Sequence, residues 1–135
     1  TKAVVPFMVE AKRGHIINIG SVAGKEVYPK GNVYCASKFA VDALSKAFRI
    51  DLLPYHIRVT SVNPGLAETE FSVVRFKGDE DKAKLVYEGM TPLYAEDIAD
   101  IVFFAATRPA HVCVNDITVT PTAQAGSRDV LRNSH

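Results

Sequence analysis

Two short β-branched segments separated by one long helical repeat constrain the fold of this chain more than any other feature. Residues 14–20 form an apolar run bounded by glycines, typical of a strand buried on both faces of a parallel sheet. Residues 57–63 form a second run with β-branched residues, which predicts another strand. Between them, apolar residues recur at helical spacing from Val33 to Leu53, and Pro54 ends the repeat. The pattern predicts a right-handed βαβ unit, and therefore an α/β fold.

The remaining segments predict further elements on either side of this unit. Residues 2–12 indicate the end of a helix already under way, and residues 96–107 have apolar residues in helical register after an acidic start. Residues 112–120 predict a last strand, whereas the polar residues 127–135 predict a mobile tail. Three strands alone would leave apolar sheet edges unpaired, so the chain is expected to have a partner.

Three polar side chains near the end of the first strand and the start of the long helix predict the chemistry. Tyr34 and Lys38 are four residues apart, so a helix places the phenol and the ammonium on one face. A positive charge stabilises a phenolate, which suits a group that exchanges a proton with a reacting oxygen. Ser21 follows the first strand, at the sheet edge where ligands bind, and its hydroxyl can hold that oxygen. The Tyr–Lys pair alone also fits a solvated helix face.

Three motifs in this order resemble the short-chain dehydrogenase/reductase family. They are Ser21 after a strand, Tyr-x-x-Ser-Lys at residues 34–38, and Asn63-Pro64-Gly65 after the next strand. The resemblance covers nearly the whole chain but only the second half of the family's fold. It implies the C-terminal half of a Rossmann-like doubly wound parallel sheet. It also implies an oxidoreductase that transfers a hydride between a nicotinamide cofactor and an alcohol or carbonyl substrate.

The resemblance also assigns roles to individual residues. Tyr34 is expected to act as the acid or base, Lys38 to hold the cofactor ribose, and Ser21 to orient the substrate oxygen. The cofactor is expected to be NADP or NAD, with NADP favoured by the resemblance. The residues that select between the two would lie upstream of this sequence.

A turn after the second strand is the other expected cofactor contact. The resemblance implies that Pro64, Gly65 and Leu66 lie against the nicotinamide and that Thr69 binds its carboxamide. A plain Pro-Gly turn is the alternative, and the position after the strand together with the threonine favours the functional interpretation.

The polar, interrupted segment 71–90 is predicted to be a lid over the site. Arg75 or Lys77 could pair with a substrate carboxylate, in bidentate fashion for arginine. Residues 74–79 look like the lid of family members that oxidise serine and other 3-hydroxy acids, which favours such a substrate. A solvated run of charges is the alternative.

No glycine-rich phosphate-binding motif occurs in the sequence. In the resembled family this motif lies upstream of the catalytic strand. Residues 1–135 are therefore expected to be a single partial domain that lacks the N-terminal dinucleotide-binding half. A non-catalytic fragment or remnant that keeps the oligomer interfaces is the competing interpretation. The expected partner is a further copy of the chain, in a dimer or tetramer, or the missing half.

Composition narrows the remaining functions. A net charge of +1 without basic clusters gives no reason to expect nucleic acid or a membrane surface as a partner, so a small-molecule substrate is favoured. No membrane span or secretory signal is evident, and the two cysteines suggest no disulfide framework, so a cytoplasmic protein is expected. The histidines lack the spacing of a metal site.

Overall fold

Parallel strands and helices alternate in the computed structural model, which describes residues 1–75 and 77–133. The strands are β1 (Gly14–Ile19), β2 (Ile57–Pro64) and β3 (Asp116–Val119). The helices are α1 (Val5–Ala11), α2 (Asn32–Asp51), α3 (Glu70–Arg75), α4 (Glu80–Leu85) and α5 (Ala95–Ala106), with 3-10 turns at Val22–Gly24 and Leu53–Tyr55. This arrangement confirms the α/β fold predicted from the sequence.

The sheet has the order β1-β2-β3, and both pairings are parallel. Gly14 lies opposite Ile57, and Ile19 lies opposite Val62. The carboxyl ends of β1 and β2 therefore reach the same edge of the sheet. At this edge α2 begins after β1, and the segment leading to α3 begins after β2.

The last strand is shorter than the predicted residues 112–120. The carbonyl groups before β3 accept hydrogen bonds from side chains of β2: the Arg58 guanidinium donates to Val112 O, and the Thr60 hydroxyl donates to Val114 O at 2.7 Å. These carbonyls are satisfied without a regular backbone ladder. Residue propensity alone could not reveal that side-chain hydrogen bonds replace backbone ones at these carbonyls.

The prediction that the first strand is buried on both faces is wrong for the described chain. In β1 only Ile16 is buried, and Ile19 is 48% exposed, because β1 has β2 as a neighbour on one side only. The central strand β2 is more buried than β1, with Val59 and Val62 completely inaccessible. One apolar core cluster joins β1 and β2 to the end of α2: Ile16, Leu52, Ile57 and Val59, with Val5, Met8, Val9 and Phe48 packed against it.

The long helix α2 is the crossover between β1 and β2. Its buried residues are Cys35, Asp42 and Ser45, although two of these three side chains are polar. Ser45 accepts a hydrogen bond from Asn18 of β1 at 2.9 Å and donates to Val41 O at 2.7 Å, so its burial leaves no hydroxyl unsatisfied.

An ionic cluster fixes the 3-10 turn after β1. Lys25 donates to Asp42 of α2 at 2.5 Å and to Asp116 of β3 at 2.7 Å, and Lys46 also pairs with Asp42 at 2.7 Å. Burial opposes ionisation of Asp42, but the hydrogen bonds from Lys25 and Lys46 outweigh it and lower the pKa of this carboxyl. The cluster therefore connects the turn that follows β1 to both α2 and β3.

The segment predicted as a mobile tail contacts the rest of the chain over its described part. Ser127 N donates to the Glu26 carboxylate at 2.8 Å, and Arg132 donates to the carbonyls of Val86 and Glu88. Residues 134 and 135 of that prediction lie outside the described residues. Within the described ranges, no helix is both long and apolar enough to cross a membrane.

Candidate active site

A cavity of about 510 Å³ lies at the carboxyl ends of β1 and β2. Eight of the site residues predicted from the sequence line it: Ser21, Tyr34, Lys38, Pro64, Gly65, Leu66, Thr69 and Arg75. The structure thus brings together side chains from β1, α2, β2 and α3 that are separated along the sequence. Their chemical roles stay predictions.

Ser21 is held at the end of β1 by the backbone of the 3-10 turn. Its Oγ accepts a hydrogen bond from Ala23 N at 3.1 Å, and the residue is only 8% exposed. The preceding Gly20 lies close to β2, because a Cβ atom there would be 2.1 Å from Asn63 Oδ1. Since Ser21 Oγ accepts from the backbone, its own proton remains available to a ligand oxygen.

Tyr34 and Lys38 lie on the first turns of α2, as the sequence spacing predicts. The Lys38 ammonium lies 5.8 Å from the centre of the Tyr34 ring and donates to Ile19 O at 3.1 Å. Burial lowers the pKa of Lys38. The hydrogen bond to the end of β1 aims the cation into the cavity, beside the phenol that it is expected to assist.

The turn after β2 forms one wall of the cavity. Gly65 N donates to Val119 O at 2.7 Å, which extends the contact with β3 beyond the end of β2. Leu66 N donates to the side-chain carbonyl of Gln124 at 2.8 Å. Thr69 lies just before α3, where its hydroxyl accepts from Phe71 N at 3.3 Å. The turn is therefore a fixed surface rather than a free loop.

The predicted lid consists of α3, α4 and the turns around them. The Phe71 and Tyr34 rings are 5.3 Å apart between centres, and Arg75 Cζ lies 5.7 Å from the centre of the Tyr28 ring. Tyr87 Oη lies 2.6 Å from Ser72 Oγ and donates to Ala67 O at 2.8 Å. These contacts hold the segment across the cavity.

Of the two lid cations predicted to meet a substrate carboxylate, Arg75 lines the cavity and Lys77 does not. Lys77 is exposed on the turn after α3, with a φ of 56°. The intervening residue 76 lies outside the described residues. Arg75 is therefore the better placed of the two side chains.

The cavity is lined by several residues that sequence reasoning missed. They are Tyr28, Phe71, Ser72, Tyr87 and Gln124. The only available signal for Phe71, Ser72 and Tyr87 was their position in the predicted lid, residues 71–90. Tyr28 lies in segment 22–32, which its glycines and Pro29 predict to loop over the site, whereas neither spacing nor composition marked Gln124.

The charges around the cavity favour an anionic ligand. Among the described lining residues, the charged side chains are Lys38 and Arg75, and both are cations. Burial raises the pKa of Tyr28, and the nearby Arg75 charge only partly opposes this effect. Tyr28 is therefore a neutral hydroxyl beside a guanidinium, a combination that suits an acid group.

Comparison with known proteins establishes the family. Residues 1–80 match the model of the family described as short chain dehydrogenase, and the chain therefore belongs to this family. The three parallel strands accordingly represent part of its Rossmann fold, as expected from the sequence.

Two curated relatives are dehydrogenases of hydroxy acids. The chain is 46% identical to the NADP-dependent 3-hydroxy acid dehydrogenase of Schizosaccharomyces pombe, over 98% of this chain and 51% of the relative. It is 52% identical to the protein of the same description from Salmonella typhi, over 93% of this chain and 51% of the relative. The chain thus spans about half the length of the curated relatives it matches.

Two similar solved structures are also described as dehydrogenases of a hydroxy acid, serine. The closed form of serine dehydrogenase complexed with NADP+ superimposes with a TM-score of 0.91 at 44% identity, over 98% of this chain and 54% of that chain. Serine dehydrogenase from Escherichia coli gives a TM-score of 0.74 at 38% identity, over 93% of this chain and 48% of that chain.

Proposed function

We propose that the protein is an NADP-dependent dehydrogenase that oxidises the hydroxyl group of a 3-hydroxy acid such as serine. The observation that carries the proposal is the convergence of Ser21, Tyr34 and Lys38 in one cavity whose described charged lining is cationic. The relatives described as NADP-dependent 3-hydroxy acid dehydrogenases support both the cofactor and the substrate class.

The three polar side chains divide the proton chemistry between them. Ser21 donates a hydrogen bond from its hydroxyl to the substrate oxygen, because its Oγ already accepts one from Ala23 N. Tyr34, as phenolate, accepts the proton of the alcohol, and Lys38 stabilises that phenolate electrostatically. A bound nicotinamide supplies the acceptor for the hydride that leaves the substrate carbon. In the reverse direction Tyr34 returns the proton to the carbonyl oxygen.

The cavity fits the nicotinamide end of the cofactor. It opens at the carboxyl edge of a parallel sheet, where such folds bind nucleotides, and Gly65 forms part of one wall. Lys38 and Tyr34 would hold the ribose, the turn Pro64–Leu66 would face the ring, and Thr69 would bind the carboxamide.

Arg75 is the residue that we propose for recognition of the substrate carboxylate. Its guanidinium lies over the Tyr28 ring at the cavity wall, and the fork geometry of arginine matches a planar acid group. The relative described as sulfoacetaldehyde reductase 2, from Chromohalobacter salexigens, is 48% identical over 94% of this chain and 51% of the relative. Its described substrate also carries an acid group close to the reacting carbon.

Arg75→Ala in the complete gene product is expected to raise KM for 3-hydroxy acids by about 10- to 100-fold, because a charge-assisted pair is lost. KM for an uncharged alcohol should change little. Steady-state rates with both substrates measure the difference. Lys77→Ala is the matched control, since it removes a lid cation that does not line the cavity. Equal effects of Arg75→Ala on charged and uncharged substrates would exclude the proposed role.

The non-catalytic alternative has less support than the dehydrogenase. A remnant selected only for its interfaces would not need Ser21, Tyr34 and Lys38 together in one cavity. The cytoplasmic location expected from the sequence remains part of the proposal, and it agrees with both cysteines being free thiols.

We further propose that the protein forms a homo-oligomer through α2. The outer face of this helix carries an exposed apolar stripe at spacings of three and four residues: Val33, Ala36, Ala40, Ala43, Ala47 and Ile50. Small residues let a second helix approach closely, and such a stripe is costly to leave in water.

Light scattering should give the mass of a dimer or tetramer, and Ala43→Arg should reduce that mass. The control is Glu80→Arg on α4, and an unchanged mass for Ala43→Arg would refute this interface.

A further inference from the structure

Gln124 is a buried polar side chain outside the predicted catalytic set. It follows β3 and is only 5% exposed. Its side-chain carbonyl accepts from Leu66 N at 2.8 Å, and its side-chain amide donates to Gly126 O at 3.0 Å. Both ends of the amide group are therefore satisfied, and one of them reaches the turn after β2.

The same side chain explains why a glycine occupies position 65. A Cβ atom on Gly65 would lie 2.2 Å from Gln124 Oε1 and 3.0 Å from Thr120 Cγ2. The turn is thus pressed against the segment that follows β3, while Gly65 N is bound to Val119 O. Gln124 therefore supports the turn from the side of the segment after β3, and it lines the same cavity as the turn.

We propose that Gln124 is a positioning residue that fixes the backbone of Pro64–Leu66 so that this turn can hold the nicotinamide against Tyr34. The inference rests on the proposed function, because it concerns the wall that would receive the nicotinamide. It extends the site to a residue that lies 58 positions beyond Leu66 in the sequence.

The chemistry of glutamine suits this position better than that of its isosteres. Glutamate would keep an oxygen that accepts from Leu66 N but would lose the donor to Gly126 O. Methionine has a similar length, but it would leave the Leu66 amide and the Gly126 carbonyl without their buried partners. The two substitutions therefore separate loss of one hydrogen bond from loss of both.

The test compares NADP+ with 2′-phospho-ADP-ribose, which contains the same phosphates but no nicotinamide. Calorimetric titration of the complete gene product gives both dissociation constants without requiring turnover. Gln124→Met should weaken NADP+ by about tenfold, the effect expected when one buried amide loses its partner, and should leave 2′-phospho-ADP-ribose unchanged. Gln124→Glu should lie between the wild type and Gln124→Met.

Thr122→Ala is the control, because Thr122 is exposed in the same segment. Thermal unfolding of each unliganded variant verifies that it is folded. If Gln124→Met is not folded, the comparison of the two ligands is made with Gln124→Glu instead. Equal weakening of both ligands would overturn the inference, since it would indicate general damage. Unchanged NADP+ binding by Gln124→Met would also overturn the inference. Tighter NADP+ binding would overturn it as well, because it would mean that Gln124 competes with the cofactor for the hydrogen bond from Leu66 N. A wild-type protein that binds neither ligand would instead contradict the proposed function on which the inference rests.

Discussion

Replacing Tyr34 by phenylalanine is expected to lower kcat by about 10³-fold and to weaken NADP+ binding far less, because Lys38 would still hold the ribose. The substitution removes the phenol oxygen that exchanges the proton with substrate. It keeps the ring that packs against Phe71 at 5.3 Å between centres and lies beside Lys38. The loss should therefore fall on the chemical step rather than on folding or cofactor binding.

Steady-state rates and NADP+ titrations of the same Tyr34→Phe preparation provide the measurement. Tyr55→Phe is the matched control, because it removes a phenol oxygen from a 38% exposed side chain in the turn that follows α2. Turnover by Tyr34→Phe at the rate of the control would exclude Tyr34 as the acid or base. A parallel loss of NADP+ affinity would assign the residue to binding.

Gly24→Ala is expected to produce the largest structural effect on the site. Gly24 is buried in the turn after Ser21, and an added Cβ would lie 2.7 Å from Lys38 O and 3.0 Å from Lys38 C. These are backbone atoms of α2, so a side-chain rotation cannot relieve the clash. The turn must move away from the helix, which separates Ser21 from Lys38. We expect the free energy of unfolding to fall by about 1–3 kcal/mol. Activity should fall by more than the smaller folded fraction explains, because the catalytic groups are displaced.

Denaturant unfolding and kcat/KM together measure this effect. Gly78→Ala on the lid is the control, because an added Cβ there meets nothing within 4 Å and the cost comes only from its φ of +91°. The control should retain its catalytic rate. Full activity and unchanged stability of Gly24→Ala would show that the contact between this turn and α2 does not fix the site.

Local sequence signals were sufficient to place the central βαβ unit and the main polar residues of the candidate site, whereas the roles of these residues came from the family resemblance. Helical spacing places Tyr34 and Lys38 on one face, and strand termination places Ser21 at the sheet edge, so each follows from its immediate neighbours. The turn at Pro64 was found for the same reason. These features depend on short stretches of chain.

Features that depend on tertiary contacts were not predictable in the same way. The contact between Gln124 and Leu66 joins distant segments and has no periodicity to mark it. The exposure of Ile19 depends on which strands flank β1. The hydrogen bond from the Thr60 hydroxyl to Val114 O, just before β3 begins, depends on the packing of β2. Local propensity contains no information on these partners.

Initial-rate formation of NADPH by the purified complete gene product, with L-serine and 3-hydroxypropionate as substrates, tests the central claim most directly. The proposal predicts saturable reduction of NADP+ by these acids, a higher kcat/KM than for an uncharged alcohol of the same size, and loss of the reaction in Tyr34→Phe. A folded protein that binds NADP+ but reduces it with none of these substrates would contradict the assignment as a 3-hydroxy acid dehydrogenase.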